Sequence, residues 1–542
     1  MRCFAVGALR VHVFGGWGEI GGNQLLLEAG GEAILLDFGR PFGRWKEYFT
    51  EFLAPRSALG LRDLLALGLL PRLRGLYRDG PDDTLFPTAL ERQLLDGAPD
   101  AGHVQGLLLS HAHLDHSGAI AYLRADLPIY TTPETAVILK AMQDTGQAEL
   151  DGEGVYIRLR RVEKVKEEEE EEKEEEGEEQ EKSVLTADRW ASYLRRPYRC
   201  LGGLPQGFHE LSPAKRKGIE GHPWEAVDLP FQVGGFRVRA FPVDHSVPGA
   251  VAFAVETAEG LVVYTGDLRF HGREGSRAEA FLRALEGQKV SLLIVEGTRL
   301  GLPGGSRTEG AVKAALHEEI QKHPGAPVAV DFAPRNVERL ESCLEVARDL
   351  GRELVVTPKD AYLLWGLSEV DPRYKDVLGG VRVLQEAKAQ TPGWEKRLKK
   401  APGLRRVTIE EVAKAPGSFL LALGFYEINR LLDLRLHIGP EPKGLYIFSN
   451  SYWADQEQIL DLRVLNRWLS ELNFRLLPES LRGLPKDPMG VDNPYHTSGH
   501  APEEELVELV RCLRPRHLLP VHTSRPKRWK ELLRGERIRI LL

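Results

Sequence analysis

Residues 105–116 read QGLLLSHAHLDH, an apolar run that leads directly into a loop of four potential metal ligands. The apolar half is typical of a buried strand, and α/β folds commonly place their chemistry in the loop that follows a strand. Imidazole and carboxylate groups are ligands that zinc and manganese accept. Two ions sharing the loop fit its short spacing better than one ion with four ligands. The candidate ligands are His111, His113, Asp115 and His116.

Apolar strands that end in polar residues recur along the chain. The stretches LLDFG, PVDHS, YTGDL, LLIVEG and LLPVH each place a carboxylate or an imidazole after an apolar run, and the loop HTSGHA adds His496, Ser498 and His500. Strands alternate with helical patterns, which predicts an α/β fold, and residues 306–450 predict a second, open parallel sheet. The polar residues placed in this way are Asp37, His245, Asp267, Glu296, His496, Ser498, His500 and His522.

Taken together, these stretches resemble the motifs of the metallo-β-lactamase superfamily, whose HxHxDH loop is matched here by HAHLDH. The resemblance implies an αββα sandwich with two divalent ions, Zn²⁺ or Mn²⁺, and a carboxylate at Asp267 that bridges them. It implies that Asp37 orients a ligand histidine from behind and that Asp115 takes part in catalysis. The implied metal ligands are His111, His113, Asp115, His116, His245, Asp267 and His522.

The last third of the chain is similar to motifs A, B and C of the β-CASP nucleases, with Glu296, the HTSGHA loop and His522 at the matching places. Among these nucleases, GGWGEIGGN and DHSVP resemble bacterial ribonuclease J, although PVHTS stands where ribonuclease J has PVHGE and Glu296 where it has Asp. The resemblance implies that His500, paired with Glu296, is the general acid and that His496 and Ser498 bind a phosphate. It also implies a metallo-β-lactamase domain at residues 1–298, with an insert at about 140–230, a β-CASP domain (a doubly wound parallel sheet) at 299–495, and a return segment at 496–542.

The expected function is a nuclease for single-stranded nucleic acid, with RNA favoured, that leaves 5′-phosphate and 3′-hydroxyl ends. Cutting from an end and cutting internally stay open, as does a homodimer. One alternative is a single-stranded DNA nuclease of the same family with a role in DNA repair. A second is a small-molecule hydrolase of the same fold, which would need neither Glu296 nor His500. A third is a non-catalytic scaffold that binds nucleic acid, although this chain keeps every implied metal ligand.

Composition narrows the class of protein further. The 542 residues are 42% hydrophobic, which suits a globular protein, and no apolar run approaches the roughly 20 residues that span a bilayer. Four scattered cysteines and an N-terminus without a signal-peptide pattern predict a cytoplasmic protein without a membrane partner. Residues 163–182 carry 13 Glu and 4 Lys, so the remainder of the chain has a net charge of +2 against −7 overall. We expect this acidic segment to be disordered or solvated.

Overall fold

The structure is a computed structural model, and it describes residues 2–50, 52–147, 149–165, 182–187, 192–212, 218–302, 306–401, 403–453, 455–487 and 491–542. The strands in these ranges are β1 Arg2–Val6, β2 Leu9–Gly15, β3 Gln24–Ala29, β4 Glu32–Phe38, β5 Val104–Leu108, β6 Ile129–Thr131, β7 Tyr156–Ile157, β8 Arg160–Val165, β9 Lys182–Ala187, β10 Tyr193–Arg195, β11 Tyr198–Leu201, β12 Ile219–Gly221, β13 Glu225–Val227, β14 Phe231–Val233, β15 Phe236–Pro242, β16 Val251–Thr257, β17 Gly260–Tyr264, β18 Val290–Val295, β19 Val328–Asp331, β20 Glu353–Val356, β21 Arg382–Gln385, β22 Arg405–Thr408, β23 Phe419–Ala422, β24 Gly444–Phe448, β25 Phe474–Leu477, β26 His517–Pro520 and β27 Arg539–Ile540. The α-helices are α1 Phe42–Tyr48, α2 Arg62–Ala66, α3 Ala89–Gln93, α4 Leu114–Ser117, α5 Pro133–Thr145, α6 Gly275–Leu285, α7 Glu309–Gln321, α8 Val337–Asp349, α9 Pro358–Ser368, α10 Arg373–Gly380, α11 Gly393–Leu398, α12 Ile409–Lys414, α13 Asn429–Ile438, α14 Gln456–Glu471, α15 Glu503–Leu513 and α16 Trp529–Leu532.

Two mixed sheets pack face to face and form the first part of the molecule. One has the strand order β1-β2-β3-β4-β5-β6-β11-β13, and the other has the order β14-β15-β16-β17-β18-β26-β27. Apolar side chains from both sheets form one buried cluster between them, with Leu25 and Leu36 on one side and Phe253 and Ile294 on the other. Helices cover the outer faces, so the layers are those of an αββα sandwich.

A third sheet holds residues from the middle of the chain. Its order is β22-β21-β20-β23-β19-β24-β25, and all of its neighbouring strands are parallel. Parallel sheets are covered on both faces, which explains why a strand such as GLYIF at 444–448 is buried at all five positions. After this sheet the chain returns, and β26 pairs in parallel with β18 in the sandwich. The predicted fold class, an αββα sandwich with a second parallel sheet, is confirmed.

One buried cluster connects the sandwich to the third sheet. It extends from the outer face of the first sheet through α5 and α9 to β19 and β20. Within it, the Asp144 carboxylate accepts hydrogen bonds from Lys140, Tyr156 and Tyr362. Since α5 belongs to the sandwich and α9 to the third sheet, a continuous core and a buried polar group fix the position of the two parts relative to one another, on either side of a cleft.

One local expectation differs from the structure. The stretch SGAIAYLRA at residues 117–125 predicts the start of a helix from sequence alone, but α4 ends at Ser117 and only a 3-10 turn follows at Ile120–Tyr122. The reason is that the Ala119 backbone N–H donates to Phe38 O at the end of β4, so it cannot continue the helix. In the acidic segment, residues 163–165 and 182 belong to β8 and β9, which pair antiparallel, and residues 166–181 lie outside the described residues.

None of the described helices is long and apolar enough to cross a membrane.

Candidate metal centre

The predicted site residues come together at one edge of the sandwich. Asp37 lies near the end of β4, and the HAHLDH loop follows β5. His245, Asp267, Glu296 and His522 follow β15, β17, β18 and β26 within three residues. Because neighbouring strand ends meet at the same edge of a sheet, side chains far apart in sequence converge here. Asp37 (φ 53°) and His522 (φ 52°) have left-handed backbone conformations, which turn the chain sharply at this edge.

The first ligand group consists of three imidazoles, from His111, His113 and His245. His113 Nδ1 lies 3.1 Å from His111 Nε2 and 3.1 Å from His245 Nε2. Burial lowers the pKa of His113 to about 3 and the pKa values of His111 and His245 well below their usual range. All three rings are therefore neutral near pH 7, which is the protonation state that binds a metal ion.

The second ligand group contains Asp115, His116, Asp267 and His522. His522 Nε2 lies 3.1 Å from Asp115 Oδ2 and 3.4 Å from Asp267 Oδ2, and His116 Nε2 lies 3.1 Å from Asp267 Oδ2. Asp267 Oδ2 is also 3.7 Å from His111 Nε2 and 3.9 Å from His245 Nε2 in the first group. One carboxylate oxygen therefore stands between both groups, as a bridging ligand must.

Four of the imidazoles are held from behind through Nδ1. His245 Nδ1 donates to Gly499 O at 2.6 Å, and His116 Nδ1 donates to the Asp37 carboxylate at 2.6 Å. His111 Nδ1 contacts Ser110 Oγ at 3.0 Å, and His522 Nδ1 contacts Thr298 Oγ1 at 2.8 Å. With Nδ1 occupied by an outward hydrogen bond, the lone pair of Nε2 points to the centre, which is the usual arrangement behind metal-binding histidines.

Asp37 is the most heavily bonded of these supports. It is fully buried, and its carboxylate accepts from the Ser110 N–H and hydroxyl, the Tyr264 hydroxyl and His116. Four donors satisfy a buried carboxylate and fix its position. The structure thus places Asp37 behind a candidate ligand histidine and not in the centre itself.

The charges of the second group suit a cation. Burial alone would lower the pKa of His116, and the charges of Asp267 and Asp115 outweigh burial and raise that pKa well above its usual range. The His116 and His522 charges outweigh the opposite effect of burial at Asp267 and hold the pKa of that carboxyl well below its usual range. A site that attracts a proton so strongly between two carboxylates also attracts a metal ion, which would take the proton's place.

The donor set fits divalent metal ions. Asp267 Oδ1 is a buried polar atom without a hydrogen-bond partner among the described residues, and His116 Nε2, although 3.1 Å from Asp267 Oδ2, forms no well-aligned hydrogen bond there. Unpaired buried polar atoms are costly and rare, and metal coordination would satisfy both. Nitrogen and carboxylate oxygen atoms in groups of three and four suit zinc or manganese.

An acid–base pair, Glu296 and His500, lies beside the two ligand groups. His500 Nδ1 is 2.8 Å from Glu296 Oε2 and 3.9 Å from Asp267 Oδ2. Burial alone would lower the pKa of His500, and the charges of Glu296 and Asp267 outweigh it and raise the pKa to about 9. Glu296 is fully buried and is held by the Leu268 N–H and the Thr298 hydroxyl. His500 can therefore hold a proton at neutral pH next to the centre.

His496 and Ser498 lie on the same loop as His500 but point to different partners. His496 Nε2 contacts Ser451 Oγ at 2.9 Å and its Nδ1 donates to Ser449 O at 3.2 Å, both beyond the end of β24. Burial and the nearby Arg339 charge lower the pKa of His496 to about 3. Ser498 Oγ accepts from the His500 N–H. The loop thus joins the third sheet to the edge that carries the candidate ligands.

Sequence reasoning missed three supporting residues: Ser110, Tyr264 and Thr298. The Thr298 hydroxyl donates to Glu296 Oε2 at 2.9 Å and accepts from His522 Nδ1, so it connects the acid pair to a candidate ligand. The only feature of the sequence that could have indicated Thr298 is its position two residues after Glu296. The glycine-rich loop at 15–22 also contacts the site, because Gly16 O accepts from the His522 N–H and a Cβ at Gly21 (φ 76°) would lie 2.6 Å from Asp115 Oδ2.

Comparisons with known proteins find two matching family models and a set of similar proteins. Residues 83–357 match the family model described as the metallo-beta-lactamase superfamily, and residues 489–540 match the model described as the Zn-dependent metallo-hydrolase RNA specificity domain. Ribonuclease J of Pyrococcus abyssi is 23% identical over 535 residues, which cover 95% of this chain and 90% of that protein. Ribonuclease J of Mycolicibacterium smegmatis is 23% identical over 97% of this chain and 70% of its own length.

A solved structure has the same fold over nearly the whole chain. It is a crystal structure of a protein of unknown function from Enterococcus faecalis V583, with a TM-score of 0.62 and 20% sequence identity. The alignment covers 98% of this chain and 97% of that one. The sandwich and the third sheet therefore occur together in that protein as well.

Proposed function

Because the chain belongs to the metallo-β-lactamase superfamily, we propose that it is a metal-dependent ribonuclease that hydrolyses phosphodiester bonds of single-stranded RNA. The observation that carries this proposal is the position of Asp267 Oδ2 between two groups of imidazole and carboxylate ligands. Two ions held about 3.5–4 Å apart by such a shared ligand are typical of enzymes that cleave phosphate esters. The relatives named ribonuclease J support RNA as the substrate.

Two divalent ions, Zn²⁺ or Mn²⁺, are proposed to bind here. His111, His113 and His245 would hold one, Asp115, His116 and His522 would hold the other, and Asp267 would contact both. When bound, the ions stabilise charge on phosphoryl oxygens and acidify a water molecule for attack on phosphorus. The outward hydrogen bonds to Ser110, Asp37, Gly499 and Thr298 hold the ligand rings in place.

His500 is proposed to donate the proton that the leaving 3′-oxygen needs. Its position beside Asp267 and its contact with Glu296 keep a proton on the ring at neutral pH. Hydrolysis with this proton transfer leaves a 3′-hydroxyl on one product and a 5′-phosphate on the other. His496 and Ser498 are proposed to help bind a neighbouring phosphate, Ser498 by donating its hydroxyl and His496 by holding the loop through Ser449 and Ser451.

The domain division proposed for this enzyme is a metallo-β-lactamase domain at residues 1–298, a β-CASP domain at 299–495 and a return segment at 496–542. The parallel pairing of β26 with β18 supports the return, and the all-parallel third sheet supports the separate middle domain. Substrate would lie in the cleft between the two parts, where the loop of His496–His500 connects them.

A small-molecule hydrolase of the same fold accounts for the metal ligands alone. It leaves the buried Glu296–His500 pair and the third sheet beside the centre without a role. Both are explained when the substrate is a polymer that lies in the cleft and needs a proton at its leaving oxygen. The ribonuclease proposal therefore accounts for more of the site.

The experiment that tests the proposal compares end-labelled single-stranded RNA and DNA, each with 5′-phosphate or 5′-hydroxyl ends, in the presence of Zn²⁺, Mn²⁺ or Mg²⁺. We expect metal-dependent cleavage of RNA and, at most, weaker cleavage of DNA. Asp267→Ala, purified in the same way, controls for contaminating nucleases, and His517→Ala is a matched histidine variant away from the centre. Equal RNA cleavage by the Asp267→Ala variant, or exclusive cleavage of DNA, would contradict the proposal.

A further inference from the structure

Arg335 is a half-buried arginine in the loop between β19 and α8, on the side of the cleft that the third sheet provides. Its guanidinium contacts the sulfur of Met142 on α5 at 3.4 Å, and α5 belongs to the sandwich. The side chain therefore crosses the cleft between the two parts of the molecule. None of the carboxylates in the described ranges forms an ion pair with it.

The other buried arginines around this cleft are paired. Arg339, four residues further along, binds Glu309, and Arg269 binds Asp244 and Glu338. A buried or half-buried cation without a carboxylate is costly, because desolvation disfavours its charge. The Arg335 guanidinium is only half-buried, so the donors that no carboxylate occupies face solvent and are available to a ligand. Arg335 thus differs from its neighbours in the way that a binding residue would.

The charges that Arg335 faces belong to the candidate metal loop. Its positive charge contributes to the low pKa of His113, and the Asp115 carboxylate acts on Arg335 in turn. The guanidinium therefore lies near the two ligands without contacting them directly. If Asp115 binds a metal ion, its negative charge would be less available to Arg335, and a phosphate of the substrate would supply a new anion for the guanidinium.

We propose that Arg335 binds a backbone phosphate of the RNA strand beside the scissile bond, which makes it a substrate-binding residue contributed by the third sheet. This inference rests on the proposed ribonuclease function and deepens it. A guanidinium suits the role because its planar fork gives two parallel hydrogen bonds to phosphate oxygens and keeps its charge at every working pH. The loop of His496–His500 connects the third sheet to the edge that carries the metal ligands, so Arg335 would hold the strand from the third sheet while the sandwich supplies the ligands.

The first test compares wild type with Arg335→Gln and Arg335→Lys, and uses Arg467→Ala as a control that removes one charge from the exposed face of α14. We expect kcat/KM on single-stranded RNA to fall about 10- to 100-fold in Arg335→Gln, the range for losing a hydrogen bond to a charged group. Arg335→Lys should recover part of the loss, and Arg467→Ala should lose little. Melting temperature and bound metal are measured in each variant, so that a folding defect is recognised.

The second test identifies the phosphate. Substrates carry one uncharged methylphosphonate linkage, with a 2′-O-methyl group to prevent self-cleavage, at successive positions around the cut site. At one position, neutralising the phosphate should slow wild type but should not slow Arg335→Gln further, since the partner is already absent. The slope of the logarithm of the binding constant against the logarithm of salt concentration should also become shallower in Arg335→Gln, by the amount of roughly one phosphate contact.

The outcomes separate this inference from the proposed function. If wild type cleaves RNA and Arg335→Gln matches it in kcat/KM and salt dependence, Arg335 does not bind substrate, while the ribonuclease function stands. Additive losses at every methylphosphonate position would equally overturn the inference. If Arg335→Gln lowers the melting temperature and the metal content, and Arg335→Lys keeps both at the wild-type level, the role of Arg335 is purely structural. If wild type cleaves no RNA, the proposed function and the inference fall together.

Discussion

The Glu296–His500 pair gives the sharpest quantitative prediction, because one substitution changes its charge and keeps its shape. Glu296→Gln removes the carboxylate that lies 2.8 Å from His500 Nδ1. That charge is the largest effect that raises the pKa of His500 to about 9 against the burial that lowers it. The amide NH₂ of glutamine would face Nδ1 and favour a neutral ring as its acceptor. The pKa of His500 should therefore fall.

The size of the effect follows from the fraction of His500 that carries a proton. At about pH 8, a group with a pKa of about 9 is roughly 90% protonated, and one at the ordinary value of 6.5 is roughly 3% protonated. A general acid acts only when protonated, so turnover declines as pH rises through its pKa. We expect the decline to begin at a lower pH in Glu296→Gln, with about a 30-fold loss of turnover near pH 8.

The assay measures kcat against pH for wild type, Glu296→Gln and His500→Ala, with bound metal determined in every sample. His500→Ala should keep its metal and lose about 100- to 10,000-fold in turnover. A substrate with sulfur in place of the leaving 3′-oxygen needs little protonation and should restore much of the rate of both variants. If both are equally slow on the sulfur substrate with metal still bound, His500 is not the acid, and phosphate binding becomes its better role.

Two further predictions concern support for the site and the acidic segment. Thr298→Val should lower metal affinity about 10- to 100-fold, because His522 Nδ1 loses its acceptor. A chelator competition titration measures the affinity, with Thr298→Ser as the matched control. Unchanged affinity in Thr298→Val would show that Thr298 does not support the site. Replacing residues 166–181 with an Asn-Gly turn should leave the melting temperature nearly unchanged. The reason is that Val165 and Lys182 are directly paired across β8 and β9, so a two-residue turn can connect the two strands. A large decrease in the melting temperature would show that the segment contributes to packing.

The strands and the candidate ligands were predictable because their signals are local. VSLLIV and GLYIF are continuous apolar runs, and both are buried strands. HAHLDH places four potential ligands, three His and one Asp, within six residues, and no ordinary surface loop needs them. Asp37, His245 and Asp267 are single polar residues at strand ends, and only the family resemblance separated them from ordinary ones.

The supporting residues were not predictable because their signals depend on contacts between distant segments. Thr298 and His522 are 224 residues apart, and nothing in the sequence links the hydroxyl of one to the ring of the other. Arg335 carries no motif, and it stands out only because the arginines around it have carboxylate partners. The helix expected after the HAHLDH loop was wrong because the backbone bond from Ala119 to Phe38 competes with it.

The most direct test of the central claim measures metal content and RNA cleavage on the same preparation. We predict two divalent ions per chain, loss of cleavage when a chelator removes them, and recovery when two equivalents are returned. Asp267→Ala should weaken both sites, because Asp267 Oδ2 faces ligands of both groups. A preparation that cleaves RNA fully while holding no divalent metal, and whose Asp267→Ala variant is equally active, would contradict the account.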